Sequence, residues 1–253
     1  MKLAITRCAL LAALALLVTS AGTARAQIST QPILGYAGNI DAVPEGIGKS
    51  PASNSPLVLT TVYDNTTAAA NFGLSSTDPL AKWGDEIFMT GTGLLSTHKF
   101  TIFNGSGAGL NLLTATVSVS FFDAVTSIML GGYNTNINFG AGLPPNFYAI
   151  VTVTGIDPLL INLNTTDVIV LQTITAKTGT ATALGIVSLD PPTIGTSPNT
   201  MFIQASTVNG GVPGFYSIGN PPVPANPGYQ VGVNDLPVPV GKGTWGRIKQ
   251  MYR

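Results

Sequence analysis

"TATVSVSFFD", Thr114 to Asp123, is the stretch that decides the fold. Val117, Val119 and Phe121 fall on every second position, with Thr116, Ser118 and Ser120 between them. A period of two sends the two sets to opposite sides of an extended backbone, so this is a strand with one dry and one wet face.

The pattern repeats outward along the chain. "NFYAIVTVTG" places Phe147, Ala149, Val151 and Val153 inward, and "KFTIFNG" alternates around Phe100 and Ile102. Further strands are predicted at "LVLTTVY", "EIFMTG", "VIVLQTITA", "ALGIVSL", "MFIQAS", "GFYSIG" and "YQVGV". Short β-branched and aromatic runs between Gly, Asn, Pro and Thr clusters predict an all-β chain, an antiparallel two-sheet β-sandwich of jelly-roll-like type. The Gly-rich runs "NGSGAGLN" and "GGYNTNINFGAGLPP" lack phosphate-loop spacing and read as hairpin loops.

The flanks differ from this body. Residues 1–26 combine Lys2 and Arg7, an apolar run from Ala9 to Val18, and small residues at Ala24 and Ala26, the pattern of a secretory signal peptide cut before Gln27. The run is shorter than the ~20 residues of a membrane span. The protein is therefore expected to be exported, secreted or cell-surface associated, with no transmembrane span after cleavage. Residues 27–56 read as an extended linker, 57–234 as the sandwich domain, and 235–253 as a Pro-rich segment with a basic tail.

Composition excludes several chemistries. The single cysteine, Cys8, lies in the leader, so disulfides, thiolate metal sites and cysteine nucleophiles are absent from the mature chain. Between the leader and position 242, four lysines stand against eleven carboxylates, a net charge of −7 that repels phosphate backbones. Nucleic acid is not an expected partner.

One histidine, His98, cannot build a multi-histidine zinc site. It reads as a surface residue beside Lys99, and no G-x-S-x-G elbow supports a hydrolase triad. Asp85 and Glu86 are adjacent, so a strand would point them to opposite faces rather than across a glycosidic bond. In "KWGDEIFMTGTG", Gly84 permits a turn that Asp85 ends, and Trp83 plugs an end of the sandwich. Asp64, Asp85 and Asp123 are the residues that could converge on Ca²⁺. The N-x-S/T sequons at Asn65, Asn104 and Asn164 place those residues in turns.

Three aromatic pairs, Phe121-Phe122, Phe147-Tyr148 and Phe215-Tyr216, each lie in a predicted strand. The pleat turns one ring of each pair outward, and Phe122, Tyr148 and Tyr216 are the expected ligand-binding rings. Flat rings on a sheet face suit a glycan, whose apolar side stacks while its hydroxyls stay wet. The sequence thus reads as a non-catalytic exported protein with a structural or interaction role, its partner a cell-surface polymer or glycan. A carbohydrate-binding module is the alternative, and an extracellular hydrolase the weaker one.

In order, "VYDN" (62–65), "WGDEIFMTGTG" (83–93), "FTIFN" (100–104), "ATVSVSFFD" (115–123) and "DPPTIGTSPNTMFIQ" (190–204) resemble a broad group. The chain from Leu57 to Asn234 is similar to the β-sandwich domain of poorly characterised secreted bacterial proteins, many of which carry a PEP-CTERM sorting tail. The resemblance implies the sandwich fold and no catalytic residues. The tail here, "GTWGRIKQMYR", lacks the Pro-Glu-Pro motif and apolar span of such signals. After Thr244 as a cap, Trp245, Ile248, Met251 and Tyr252 share a helical face with Arg247 and Lys249 off it. That gives either a short amphipathic helix that acts as a retention or docking element once it has a partner, or a disordered tail.

Overall fold

The computed structural model describes residues 30–47, 58–206, 208–219 and 222–234. Residues 1–26, read above as a signal peptide, and the tail residues Trp245, Arg247, Ile248, Lys249 and Tyr252 lie outside the described residues.

The chain is all-β. Its strands are β1 (Gly35–Ala42), β2 (Leu59–Asp64), β3 (Ala70–Ser76), β4 (Lys82–Phe88), β5 (Gly93–Asn104), β6 (Leu112–Asp123) and β7 (Met129–Leu143). They are followed by β8 (Phe147–Val153), β9 (Asn162–Leu163), β10 (Asp167–Gly179), β11 (Leu184–Leu189), β12 (Met201–Gln204), β13 (Gly214–Tyr216) and β14 (Tyr229–Asn234). An eight-stranded sheet runs β1-β8-β5-β11-β3, with β14 joining β5 to β2 and β9 beside β5. A six-stranded sheet runs β13-β12-β4-β10-β6-β7. Among the described residues no helix is long and apolar enough to cross a membrane.

Alternation explains where the core lies. Phe100, Ile102, Ala149, Val151 and Val231 from the larger sheet meet Val117, Val119, Phe121, Val168 and Val170 from the smaller one in one buried cluster. A second cluster fills the other half of the interior, around Trp83, Phe72, Leu74, Ile186, Met201 and Ile203. Burying most of these rings and branched chains supplies roughly 1.5–3 kcal/mol each against the entropy of ordering the chain.

Three expectations are corrected. The segment 27–56 is not only a linker, because Gly35–Ala42 forms β1, whose Ile40 and Ala42 pack on the main core. That strand runs parallel to β8, so the sheets are not purely antiparallel. No tight hairpin joins the two, and nothing local therefore fixes an antiparallel direction. The "GGYNTNINFGAGLPP" run is mostly strand: Tyr133, Thr135 and Ile137 point inward and Asn134, Asn136 and Asn138 outward along β7. Polar side chains on both faces hide the alternation from a hydrophobic reading. Beyond β1, Pro44 bridges Thr135 and the Glu45 amide donates to Asn134 O at 2.7 Å, so the chain crosses from one sheet to the other.

The turn read before "DEIFM" is also absent, since β4 already includes Trp83, Gly84 and Asp85. Gly84 serves a different purpose: a Cβ there would land on Leu171 Cδ2 and Val170 O of β10. The missing side chain lets Leu171 lie across β4.

Candidate functional site

On the outer face of the larger sheet, the register aligns Tyr36 of β1, Tyr148 of β8 and Phe103 of β5 in one transverse row. The Tyr36 and Tyr148 rings have centroids 5.1 Å apart and an interplanar angle of 34°. Tyr36 is 45% exposed, and its hydroxyl donates to Asn39 Oδ1 at 2.5 Å. Tyr148 is half-buried, packed on Phe103, Val187 and Leu189. Burial, and after it the neighbouring Tyr36, raises the Tyr148 phenol above its ordinary range, so both hydroxyls remain protonated donors at neutral pH. Farther along the face lie Asn39, then Asp41, Thr152 and Lys99, which share a register row. At 5.1 Å the two tyrosine rings lie against each other, and the exposed Tyr36 ring backed by Tyr148, with amide, hydroxyl and charged groups along the face, can stack an apolar ligand face and hydrogen-bond its rim.

The outer face of the smaller sheet carries the second group. Phe122 is half-buried there, level with Ile169 of β10 and Met129 of β7. Tyr216 is a correction: it is 7% exposed, belongs to the second core cluster, and its hydroxyl donates to Val212 O at 2.6 Å. Phe215 is the outward ring of that pair and meets Phe202 edge-on at 5.6 Å. Strand β13 has only three residues, too few for alternation to set its phase from sequence. Tyr36 was missed with its whole strand; Phe202 was readable from the "MFIQ" alternation.

The interior holds the titratable groups. His98 is 0% exposed, which corrects its surface reading. Along β5 it shares the inward face with Phe100 and Ile102, while Lys99 points away. Its Nδ1 lies 2.6 Å from the Tyr133 hydroxyl, and Nε2 has no partner. Burial pushes its pKa down to about 3, so the ring is neutral at physiological pH.

Asp85 is likewise 0% exposed, on the same inward face of β4 as Trp83 and Ile87. Ser197 Oγ donates to its Oδ2 at 2.6 Å, and Oδ1 has no partner. Desolvation holds this carboxyl well above the usual range against the opposing pull of Ser197. Glu86 points to the outer face, half-buried, and its carboxyl is raised by burial and then by Asp167.

The three aspartates do not converge. Asp64 accepts from Thr66 N at 2.8 Å and from Gln230 Nε2 at 2.7 Å. Asp123 accepts from Val125 N and Thr126 N in the β6–β7 turn, and the Thr126 amide holds its carboxyl below the usual range. It lies two strands from β4, across β10. Among the described residues no group of three or more His, Cys, Asp or Glu could hold a metal ion. A pocket of about 90 Å³ opens beside Asp78, Trp83, Ile174, Lys177 and Leu184. Its ions are already engaged: Asp78 accepts from Leu80 N and Ser206 N, and Lys177 Nζ donates to Ala181 O.

No family model, curated protein or solved structure matches the chain.

Proposed function

We propose that this chain is an exported, jelly-roll-like β-sandwich module that acts at the cell surface or outside the cell by binding, without covalent chemistry, and that a glycan or similar polyol polymer lies on the Tyr36–Tyr148 shelf. The observation that carries the reading is that ring pair, its centroids 5.1 Å apart and its planes 34° from parallel, with Tyr36 45% exposed. At that spacing the two rings lie against each other, so the apolar face of a sugar would meet the exposed Tyr36 ring, backed by Tyr148, with Asn39 close by to hydrogen-bond hydroxyls. The interior supports the non-catalytic part. Asp85 and His98, two of the three groups a hydrolase would draw on, are enclosed, and each is held by one neutral hydroxyl.

A glycan array, run with and without calcium on wild type, Tyr36→Ala and Tyr148→Ala, tests the shelf. Binding that both variants lose supports it, and identical profiles for all three forms overturn it. Hydrolysis of a bound glycan that disappears on changing Asp85, Glu86 or His98 would replace this reading with an enzyme.

A further inference from the structure

One end of the outer face of the smaller sheet is both apolar and acidic. Across the strands, Glu86, Ile169, Phe122 and Met129 form one register row, and Phe88 pairs with Asp167 in the next. Phe88 is 39% exposed and Met129 54%. Glu86 and Asp167 face each other without a cation, and Asp167 Oδ1 is buried with no hydrogen-bond partner. A carboxylate oxygen in that state is stabilised by a donor with positive charge.

The described chain leaves the sheet near this end. Asn234, the last residue of β14, pairs with Leu94, and Leu94 pairs with Asn162. Phe88 lies six residues before Leu94 and Asp167 five after Asn162. The seven residues 235–241 span up to about 24 Å when extended. Beyond them, Lys242, Arg247, Lys249 and Arg253 supply four cations, and Trp245, Ile248, Met251 and Tyr252 supply an apolar stripe. Both properties complement the patch.

We infer that residues 242–253 dock on the outer face of the smaller sheet of their own chain, their apolar side chains over Phe88, Ile169 and Phe122 and their cations at Glu86 and Asp167. The occupied tail covers Phe122 and leaves the Tyr36–Tyr148 shelf, on the other sheet, open. This inference is independent of the glycan reading.

A chain starting at Gln27 holds no cysteine, so Gln250→Cys gives one site for a spin label. Nitrogen-15 spectra should show loss of the amide signals of Glu86, Ile169 and Phe122, at any protein concentration, with those of Tyr36 and Tyr148 retained. The loss should reverse at about 1 M salt, where the Debye length is about 3 Å, and in the Glu86→Gln, Asp167→Asn double variant. Should that variant fail to fold, the wild-type pattern and its salt dependence still decide. Uniform or absent signal loss overturns the inference. So does equal loss on mixing spin-labelled, nitrogen-14 chains with unlabelled, nitrogen-15 ones, which would assign the face to a second copy.

Discussion

Nδ1 of His98 lies 2.6 Å from the hydroxyl oxygen of Tyr133, a contact that ties β5 of one sheet to β7 of the other through the middle of the core. Phe121 stands edge-on to the same imidazole at 5.2 Å, and Phe100 and Tyr229 flank it. A charged ring has no counter-ion there, and burial accordingly depresses its pKa from 6.5 to about 3. Between those values the unfolded chain binds a proton that the folded protein refuses, so stability contributed by this site falls as pH falls. The stability difference between wild type and His98→Gln should therefore shift against wild type by about 1.4 kcal/mol per pH unit below 6.5. Urea denaturation at a series of pH values checks this, and a flat difference curve would place the imidazole in contact with water.

Asp85 titrates with the opposite sign. Its folded-state pKa is raised above 3.8, so at higher pH the folded protein keeps a proton that the unfolded chain has released, and stability is lost as pH rises toward the folded pKa. Asp85→Asn keeps an acceptor for Ser197 Oγ, removes the charge and adds a donor near the unpartnered hydroxyls of Tyr63 and Tyr229. The variant should be more stable than wild type at pH 7 and lose that advantage as pH falls from the raised folded-state pKa to 3.8. Lower stability for Asp85→Asn at pH 7 would show that the ionised carboxylate is required by the fold.

Trp83 is 1% exposed among Phe72, Leu74, Ile186 and Met201, at the edge where the pocket opens between the sheets. Trp83→Ala should cost roughly 3 kcal/mol or more, the loss for removing a large buried aromatic. The glycan binding proposed for the Tyr36–Tyr148 pair should be unchanged per folded molecule, since that pair belongs to the other sheet. Calorimetric melting with binding measured on the folded fraction separates the two, and a variant that melts like wild type yet fails to bind would make Trp83 part of a site.

How much of this was legible depends on which face each residue occupies. Strands such as β6 and β8 announce themselves because Val and Phe alternate with Ser and Thr, and the same parity turns Phe122 and Tyr148 outward. Strand β7 does not, because Asn, Thr and Gly fill it and only its neighbour β6 reveals the pairing. His98 and Asp85 carry polar names at inward positions. Only the partner strands, which supply Tyr133 and flank Ser197, show that these groups can be buried. The Tyr36–Tyr148 shelf joins residues over a hundred positions apart through a parallel pairing that no local pattern encodes.

Asn65 shows the same limit and gives the last test. As part of an N-x-T sequon it reads as a turn residue, and it is 0% exposed. Its Nδ2 donates to Leu189 O at 2.9 Å and Pro227 O at 2.8 Å, and its Oδ1 accepts from Tyr229 N at 2.6 Å. One side chain thus closes the ends of β2, β11 and β14 together. Removing it leaves two carbonyls and one amide buried without partners, each worth about 1–3 kcal/mol, so Asn65→Ala should destabilise by roughly 3 kcal/mol or more. Asn65→Asp should be worse at neutral pH than in acid, because an ionised carboxylate would face two carbonyl oxygens that only a protonated one can donate to. Asn164, exposed on its loop, supplies the control: Asn164→Ala should stay within about 0.5 kcal/mol of wild type. Equal urea midpoints for Asn65→Ala and Asn164→Ala would mean that water can replace the Asn65 side chain, and that the strand ends are looser than this geometry requires.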